Sequence, residues 1–354
     1  MYKILVINLG STSTKLAICE DDQFIYSTSI EHQMETIRSF PNIWSQEQYR
    51  IDAIMKELEG QGLKPSDLDA VVTRGGHTAP TVGGTYKITD KMLEMSHSEK
   101  YGLHPSDLGL KIAVSLSAHG PLPLTVDPPT TDEFEPLAHY SGIPEIKRRS
   151  GFHVLNHRAV ARKYAVDHNK VYEEINLIGA HMGGGITVAA HKKGRLVDAT
   201  NGIFGDGPFS SNRTGTFPTG PLVDMCFSGE YTRSQVRARL NGGAGLVAYL
   251  GETSVKAIEE RIGAGDKNAE EVLMAMCYQT AKEIAAMSAV LKGEVEAIYL
   301  TGGVANSGLV TGWIRERVET IAPVVLYPGE YEMLSLMLGG YKALCGTATI
   351  LEVS

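Results

Sequence analysis

Short apolar runs alternate along the chain with longer segments in which apolar residues stand three or four positions apart. The short runs are rich in Val and Ile and predict buried strands at residues 3–8, 15–19, 70–73, 123–127, 175–180, 186–191, 296–300 and 323–327. The longer segments predict helices at residues 46–59, 106–118, 157–168, 269–291 and 308–320. Because strands and helices alternate, the pattern favours an α/β architecture.

The two halves of the chain begin in a similar way. When residues 8–10 are placed over residues 181–183, Thr14 falls on Thr187, and both segments consist of two strand patterns joined by a polar turn. We therefore expect each half to begin with a β-hairpin rather than with a strand–helix–strand unit.

A second repeat follows the first in each half. The sequence DAVVTRGG at residues 69–76 returns as EAIYLTGG at residues 296–303, each a strand that ends in Gly-Gly. Two repeats in the same order predict two domains of one fold. The hinge is expected at residues 143–150, where Pro, Gly and a basic cluster interrupt the pattern. The predicted domains are residues 1–147 and 148–328, followed by a turn and helix at residues 329–354 that could return to the first domain.

The composition narrows the classes of partner. Of the 354 residues, 43% are hydrophobic and 21% are charged, and the formal net charge is -8. This charge argues against nucleic acid or an anionic membrane as the main partner. Four cysteines stand far apart without a C-x-x-C pair, which fits neither a zinc site nor a disulfide framework. No apolar run is long enough to span a membrane, so we expect a soluble, cytoplasmic protein that acts on small molecules.

Three turns are candidates for holding phosphate. NLGSTSTK at residues 8–15 combines hydroxyls with a lysine, HMGGGITV at residues 181–188 has three consecutive glycines, and LTGGVANSG at residues 300–308 leads from a strand into a helix. Backbone N–H groups in such turns can form an anion nest, and glycine lets the backbone approach a ligand closely. Taken singly, each turn also fits a structural explanation: a polar hairpin tip, a bulged hairpin or an ordinary strand–helix junction.

Together, the three turns resemble the nucleotide motifs of the acetate kinase family. NLGSTSTK is similar to the family's N-x-G-S-[ST]-S-x-K turn, and HMGGGITVAAHKKGR and LTGGVANS are similar to its other two motifs. Stretches such as GFHVLNHRAVARKYA and GDGPFSSNRTGTFP resemble the butyrate kinase branch of this family, and the match extends over nearly the whole chain. The resemblance implies the actin-like ATPase architecture: an α/β fold of two duplicated ribonuclease H-like domains with a nucleotide cleft between them.

The function implied by the resemblance is that of an ATP-dependent short-chain carboxylate kinase. Such an enzyme transfers a phosphoryl group reversibly between butyryl (or branched short-chain acyl) phosphate and ADP, directly and in line, with Mg²⁺. ATP or ADP is then a substrate, and a homodimer or higher oligomer is expected. The alternatives are an acetate or propionate kinase, an exopolyphosphatase-like hydrolase, and a chaperone- or filament-type ATPase of the same fold.

The resemblance also assigns catalytic roles to individual residues. Arg74 and Arg213 would grip carboxylate or phosphoryl oxygens with their planar guanidinium forks. His181 would donate a hydrogen bond to the transferring phosphoryl group without becoming phosphorylated. Asp127 occupies the place of the family's active-site aspartate.

Metal and nucleotide ligands follow from the same resemblance. Asp127 and Glu332 would hold Mg²⁺, with Glu330 as the alternative to Glu332. His104 and His153 match family histidines, and a structural role competes with a catalytic one for both. The expected nucleotide-binding residues are Asn8, Ser11, Ser13, Lys15, Gly183, Gly184, Gly185, Gly302, Gly303 and Asn306.

Two departures from the family pattern concern specificity. Gly76 stands where acetate kinases have a branched side chain, which would leave room for a longer acyl tail against Leu103 and Pro208. Each buried CH₂ contributes about 0.8 kcal/mol, so butyrate and branched acids should be better substrates than acetate. Ser254 stands near the position of a family aspartate in the ribose and base site, which puts nucleotide affinity and preference in doubt.

Overall fold

Two mixed β-sheets with packed helices form the framework of the chain. The computed structural model describes residues 1–118, 120–203 and 206–353. The strands are β1 (Lys3–Leu9), β2 (Ser13–Glu20), β3 (Gln23–Glu31), β4 (Ala70–Thr73), β5 (Thr85–Lys87), β6 (Leu122–Val126), β7 (Asn176–Met182), β8 (Ile186–Lys192), β9 (Arg195–Ala199), β10 (Ala297–Gly302), β11 (Val324–Pro328) and β12 (Ile350–Leu351).

Helices connect and cover these strands. They are α1 (Met34–Ser39), α2 (Glu47–Gly60), α3 (Asp90–His97), α4 (Leu108–Leu116), α5 (Val154–Asp167), α6 (Thr219–Phe227), α7 (Arg233–Leu240), α8 (Leu246–Leu250), α9 (Val255–Gly263), α10 (Lys267–Val290), α11 (Gly308–Val318) and α12 (Glu332–Leu344). Among the described residues, no helix is both long and apolar enough to cross a membrane.

The two sheets share one strand order. The first sheet runs β12-β5-β6-β4-β1-β2-β3 and the second runs β11-β10-β7-β8-β9. In each, the first strand of the unit pairs antiparallel with the next strand and parallel with the strand that follows a helical connection. Five strands of the first sheet therefore correspond one to one with the second sheet. The predicted α/β class with two halves of one topology is confirmed.

Strand register tests the two sequence repeats residue by residue. Asn8 pairs with Lys15 and His181 pairs with Thr187, so Lys15, and not Thr14, is the counterpart of Thr187. The alignment was wrong by one residue after the turn, because four residues separate the last pair of the first hairpin and three separate that of the second. The second repeat is confirmed, since Ile7 pairs with Thr73 and Ala180 with Leu300.

Burial explains which strands the sequence pattern could reveal. β1 and β7 are buried at nearly every position, so both read as continuous apolar runs. The strands that the pattern missed are β3, β5, β9 and β12. β3 is largely exposed with partly buried residues at alternate positions, while β5 and β12 are only three and two residues long.

The chain forms two compact units. The first comprises Met1–Asp132 and the C-terminal segment that begins at Tyr331, and the second is Glu133–Glu330. The chain enters the second unit before the boundary expected between residues 147 and 148. The carboxylate of Glu133 already accepts hydrogen bonds from Arg158 at 2.5 Å and from the backbone of Leu196 at 3.0 Å, both within that unit.

Helix α12 packs on the first sheet through two adjacent glycines. A Cβ atom at Gly339 would stand 2.6 Å from a methyl carbon of Val126, and one at Gly340 would stand 2.5 Å from a methyl carbon of Val72. Both valines belong to strands β6 and β4, which are paired on both sides within the sheet and so cannot move away from the helix. The absence of side chains on this face of α12 therefore permits the close approach that carries Glu332 to its position.

We predict that Gly340→Ala destabilises the protein by about 1–3 kcal/mol, because the added methyl overpacks a rigid β-branched neighbour. Gly312, in the middle of α11, is the matched control, since a Cβ atom there meets open space. Gly312→Ala should instead stabilise by up to about 1 kcal/mol through helix propensity. Urea unfolding of both variants measures the two shifts. Equal shifts of the same sign would contradict the close packing of α12.

Candidate active site

In the first unit, hydrogen bonds connect the carboxylate of Glu332 with two other predicted site residues. Glu332, the first residue of α12, is buried, and its Oε2 accepts from Nδ2 of Asn8 at 2.7 Å and from Nη1 of Arg74 at 3.0 Å. Asn8 lies near the end of β1, and Arg74 directly follows β4. Glu330 is exposed and belongs to the second unit. Of the two acids, Glu332 is the one placed beside Asn8 and Arg74.

Asp127 follows β6 at a strained point of the backbone. Its φ of 44° lies in the left-handed region, which few residue types other than glycine adopt, though Asp does so more readily than most. The carboxylate is buried, and its Oδ1 accepts from the backbone N–H of Gly84 at 2.8 Å. Backbone conformations of this kind occur often at functional sites.

The carboxylate oxygens of the first unit fit a Mg²⁺ ion that also binds waters and substrate phosphates. The described residues contain no group of three His, Cys, Asp or Glu side chains that could hold a metal ion. Mg²⁺, however, often binds through one or two carboxylates, waters and substrate phosphates rather than in an all-protein cage. Asp127 and Glu332 supply carboxylate oxygens of this kind. Their residue chemistry therefore fits a magnesium ion brought in with phosphate.

Asp107 holds the loop after Arg74, and the sequence interpretation missed it. This fully buried carboxylate accepts from the backbone N–H groups of Gly76 at 3.0 Å, His77 at 3.1 Å and His104 at 2.8 Å, and it contacts Nδ1 of His77 at 2.8 Å. Burial alone would raise the pKa of Asp107, but the bond and charge of His77 and the backbone donors lower it below its ordinary value. Asp107 stays ionised and fixes the direction in which Arg74 leaves β4.

His104 lies close to this cluster as a neutral side chain. Burial, followed by the positive charge of Arg74, lowers its pKa to about 4. Its Nδ1 accepts from the backbone N–H of Ser106 at 3.1 Å. This geometry supports a structural role for His104 at the start of the helical segment, and a catalytic role remains a prediction.

Arg50 organises the first polar turn from below. This almost fully buried guanidinium, on α2, donates to the carbonyl oxygens of Gly10 at 3.2 Å, Ser11 at 3.0 Å and Ser13 at 2.9 Å. Within the part of the chain that the structure describes, no carboxylate pairs with it, and burial lowers its pKa. The turn's carbonyl oxygens are hydrogen-bonded to Arg50, which places a buried positive charge next to the turn. A positive charge at this position favours the binding of an anion by the turn.

The position of Arg50 in the helical pattern of α2 indicates that its side chain is buried, although the sequence analysis did not identify it. Arg50 stands on the same stripe of α2 as the buried Ile54 and Leu58, at spacings of four. A charged residue on an apolar stripe needs buried partners.

The predicted nucleotide-binding residues of the first turn differ in exposure: Ser11 and Lys15 are exposed, and Ser13 is half-buried.

In the second unit, the triple-glycine turn is fastened to the loop that carries Arg213. Ser210 Oγ donates to the carbonyl of Gly184 at 2.6 Å, and the guanidinium of Arg213 donates to the carbonyl of Gly202. A Cβ atom on Gly185 would collide with that guanidinium. The structure thus places the predicted Arg213 against the predicted phosphate turn, and Gly185 is the residue that makes room for it.

A groove of about 480 Å³ in the second unit collects three predicted features. Its lining residues are Gly183, Gly184, Ser211, Asn212, Thr253, Ser254, Val255, Lys256, Gly303 and Val304. Ser254 is the N-cap of α9 and accepts from the backbone N–H of Ala257 at 3.3 Å. A helix N-terminus at one wall offers partial positive charge to a nucleotide.

Of the three residues expected to bind nucleotide in the third motif, Asn306 and Gly302 have mainly structural contacts. Asn306 is exposed and donates to the carbonyl of Gly303 at 2.9 Å, while Ser307 is the residue that caps α11. Gly302 has a φ of 87°, and a Cβ atom there would collide with the backbone of Met182. Gly303 is open and lines the groove.

His181, near the end of β7, is held by two neighbours. Nδ2 of Asn156 lies 2.9 Å from its Nδ1, and its ring stacks on that of His153 with centroids 3.9 Å apart. His153 in turn lies 2.9 Å from the hydroxyl of Thr187, on the neighbouring strand β8. The structure therefore brings together His181 and His153. Asn156 was not predicted, and nothing in the local sequence marks it.

A buried chain of histidines and tyrosines supports this side of the second sheet. His157 lies 2.8 Å from the hydroxyl of Tyr299, which lies 2.7 Å from His191, which lies 2.8 Å from Tyr172. Gly179 permits the chain, since a Cβ atom there would collide with the ring of Tyr299. Burial keeps both histidines neutral: it lowers the pKa of His157 far below its ordinary value and, with the charge of Arg158, lowers that of His191 to about 3.

Comparison with known proteins matches this arrangement to one group of enzymes. The Acetokinase family profile matches residues 139–322. Butyrate kinase 2 of Clostridium acetobutylicum is 44% identical over 98% of this chain and 97% of its own length. A probable butyrate kinase of Clostridium botulinum (strain Eklund 17B / Type B) is also 44% identical, over 98% of both chains. The chain belongs to the acetokinase family. These matches support a short-chain carboxylate kinase.

Solved structures show the fold of this acetokinase-family chain independently. The acetate kinase of Porphyromonas gingivalis superimposes with a TM-score of 0.79 at 18% identity, over 95% of this chain and 98% of its own. A propionate kinase of Francisella tularensis gives a TM-score of 0.75 at 16% identity, over 96% and 99%. The expected actin-like ATPase fold is confirmed.

The predicted acyl pocket gains a second reading from the structure. Gly76 is buried with a φ of 107°, a conformation that itself favours glycine, and a Cβ atom there would stand 3.7 Å from Pro128. Leu103 is 45% exposed in the first unit, and Pro208 is buried in the second. Backbone geometry is thus one reason for Gly76, and space for an acyl tail remains a prediction.

We predict that the buried histidines make the protein sensitive to acid. Unfolded histidines bind protons below pH 6.5, whereas folded His191 does so only near pH 3. Stability should be complete above about pH 6.5 and fall by about 1.4 kcal/mol per pH unit per histidine as the pH is lowered. Urea unfolding between pH 7 and 4 should show a shallower slope for His191→Gln. The exposed His168 is the control, and His168→Gln should retain the wild-type slope; an unchanged slope in both variants would contradict the assignment.

Proposed function

We propose that this chain catalyses reversible phosphoryl transfer between a butyryl or branched short-chain acyl phosphate and ADP. The observation that carries the proposal is that each unit places an arginine beside a polar turn. Arg74 lies with Asn8 at the end of the first central strand, and Arg213 lies against Gly185 in the second unit. Phosphoryl transfer depends mainly on positioning and on neutralising the charge of the phosphoryl oxygens, which two guanidinium groups can provide.

Each unit contributes candidate residues to the proposed reaction. Arg74 and Arg213 would bind oxygens of the phosphoryl group and of the carboxylate bidentately, and His181 would donate a hydrogen bond to the phosphoryl group. No side chain needs to become phosphorylated, so we propose direct in-line transfer. Excluding water from the reacting group would prevent loss of the acyl phosphate by hydrolysis.

Magnesium would be held by Asp127 and Glu332. When bound, the ion would neutralise negative charge on the phosphate oxygens. The contacts of Glu332 with Asn8 and Arg74 would orient its carboxylate for this purpose. The pairing with Arg74 would also hold that guanidinium beside Glu332 before substrate arrives.

The nucleotide would occupy the groove of the second unit. Gly183 and Gly184 would meet its phosphates, Gly303 would lie against its base, and Ser254 would offer a hydroxyl to the ribose. Because a hydroxyl binds less strongly than a carboxylate, we expect weaker discrimination between nucleotides at this position. A cytoplasmic location and a homo-oligomer remain predictions.

The acyl preference is the part of the proposal that separates it from acetate or propionate kinases. The two relatives reported above that are 44% identical over 98% of this chain are butyrate kinases by name. A hydroxamate assay on the purified protein, with ATP, Mg²⁺ and acids of two to five carbons, tests both reaction and chain length. We expect hydroxamate only when ATP and acid are both present, with butyrate and branched acids giving a larger kcat/KM than acetate. ATP loss without hydroxamate would indicate a hydrolase, and equal kcat/KM for acetate would reject the acyl preference.

We predict that Arg74→Ala and Arg213→Ala each reduce kcat by about 10²–10³-fold while the KM for nucleotide changes little, because each removes a donor to developing charge. If both act on the same phosphoryl group, the double variant should lose less than the product of the single losses. Arg315→Ala, on the exposed face of α11, is the control and should retain wild-type kcat. An unchanged kcat in both single variants would exclude the two arginines from the transition state.

A further inference from the structure

Asn156 lies buried beside His181, where it determines which ring nitrogen carries the hydrogen. The side chain of Asn156, on α5, is fully buried. Its Nδ2 lies 2.9 Å from Nδ1 of His181 and 3.4 Å from Oγ1 of Thr301, at the end of β10. One carboxamide group thus faces two polar neighbours at once.

Thr301 fixes the orientation of that carboxamide. A threonine hydroxyl has one hydrogen, and that of Thr301 is donated to the carbonyl of Gly329 at 3.2 Å. With that hydrogen donated to Gly329, the oxygen of Thr301 accepts from Asn156, and this hydrogen bonding assigns the NH₂ group, and not the carbonyl oxygen, to the side that faces Thr301. The same NH₂ group faces His181, whose Nδ1 must then be an acceptor without a hydrogen.

The remaining ring nitrogen faces the phosphate turn. In a neutral imidazole whose Nδ1 accepts, Nε2 carries the hydrogen. A Cβ atom built on Gly183 would stand 3.5 Å from Nε2 of His181, which places this N–H next to the first glycine of the turn. The other titratable rings packed on His181 are His153, stacked at 3.9 Å, and His157, with centroids 6.4 Å apart.

We propose that Asn156 is a positioning residue that holds His181 as the Nε2–H tautomer, so that the ring presents a donor to the transferring phosphoryl group. The opposite tautomer would turn a lone pair towards phosphoryl oxygens and would set two donors against each other at Nδ1. A buried donor without an acceptor is destabilising. The catalytic half of this inference rests on the proposed function, whereas the tautomer itself does not.

Nitrogen NMR of the full-length protein labelled with ¹⁵N-histidine tests the tautomer directly. The chain has 11 histidines, and His181→Gln identifies the signals of His181 by their loss. At pH 7.5 we expect Nε2 of His181 to be protonated and Nδ1 to be unprotonated. A protonated Nδ1 in the wild-type protein overturns the proposal, whatever the enzymatic activity.

Asn156→Asp reverses the hydrogen bond at nearly constant shape, because a carboxylate can only accept from Nδ1–H. We expect Nδ1 of His181 to become protonated in this variant. At a pH at which the spectrum shows the ring of the variant to be neutral, kcat for acyl phosphate formation should fall about 100-fold, with KM values for acid and nucleotide within about threefold of wild type. Asn268→Asp, at an exposed position near the start of α10, is the matched control and should change neither the tautomer nor kcat.

The outcomes separate this inference from the proposed function. Absence of kinase activity in the wild-type protein would reject the proposed function while the NMR result still decides the tautomer. A reversed tautomer with unchanged kcat would overturn the catalytic role of Asn156. If Asn156→Asp fails to fold, the wild-type spectrum alone confirms or rejects the Nε2–H form.

Discussion

The site depends on the burial of the two central strands on both of their faces. β1 and β7 are hydrogen-bonded on each side and buried almost throughout, so a polar side chain is tolerated best where either strand ends. Asn8 and His181 occupy these corresponding end positions. Each central strand also has a parallel neighbour that ends at the same edge of the sheet, where Arg74 follows β4 and Thr301 lies near the end of β10. The candidate site residues are concentrated at these edges, whereas the polar groups buried within or against the second sheet, such as His157, Tyr299 and His191, are hydrogen-bonded to one another.

Loops at these edges are held by buried polar groups rather than by regular structure. Asp107 binds three backbone N–H groups of the Arg74 loop and the following segment, Arg50 binds three carbonyls of the first polar turn, and Ser210 binds the triple-glycine turn. Because a buried polar group that loses its partner costs more than an ordinary hydrogen bond contributes, these contacts restrict the loops to few conformations. The loops that carry the candidate site residues are therefore held in place by contacts within the protein itself.

The sequence predicted the elements that have a periodic apolar pattern, but not the hydrogen bonds between residues that lie far apart in the chain. Central strands and long helices were found because their apolar pattern is continuous, whereas β3, exposed along most of its length, gave no clear signal. The family resemblance singled out Arg213 and His181, and the structure places both beside the triple-glycine turn. Asp107, by contrast, bonds residues about thirty positions earlier, and Arg50 bonds residues about forty positions earlier. Such pairings depend on which elements the fold makes neighbours, and a single sequence does not specify that.

The glycines of the motifs separate into two groups once their surroundings are known. Gly185 accommodates the guanidinium of Arg213, and Gly302 accommodates the backbone of Met182, so a side chain at either would displace the protein itself. Gly183, Gly184 and Gly303 have little or nothing within 4 Å and line the groove. Only these open glycines can serve the close approach of a ligand, whereas the crowded ones assemble the walls around it. A glycine-rich motif thus combines two physical requirements that its sequence cannot distinguish.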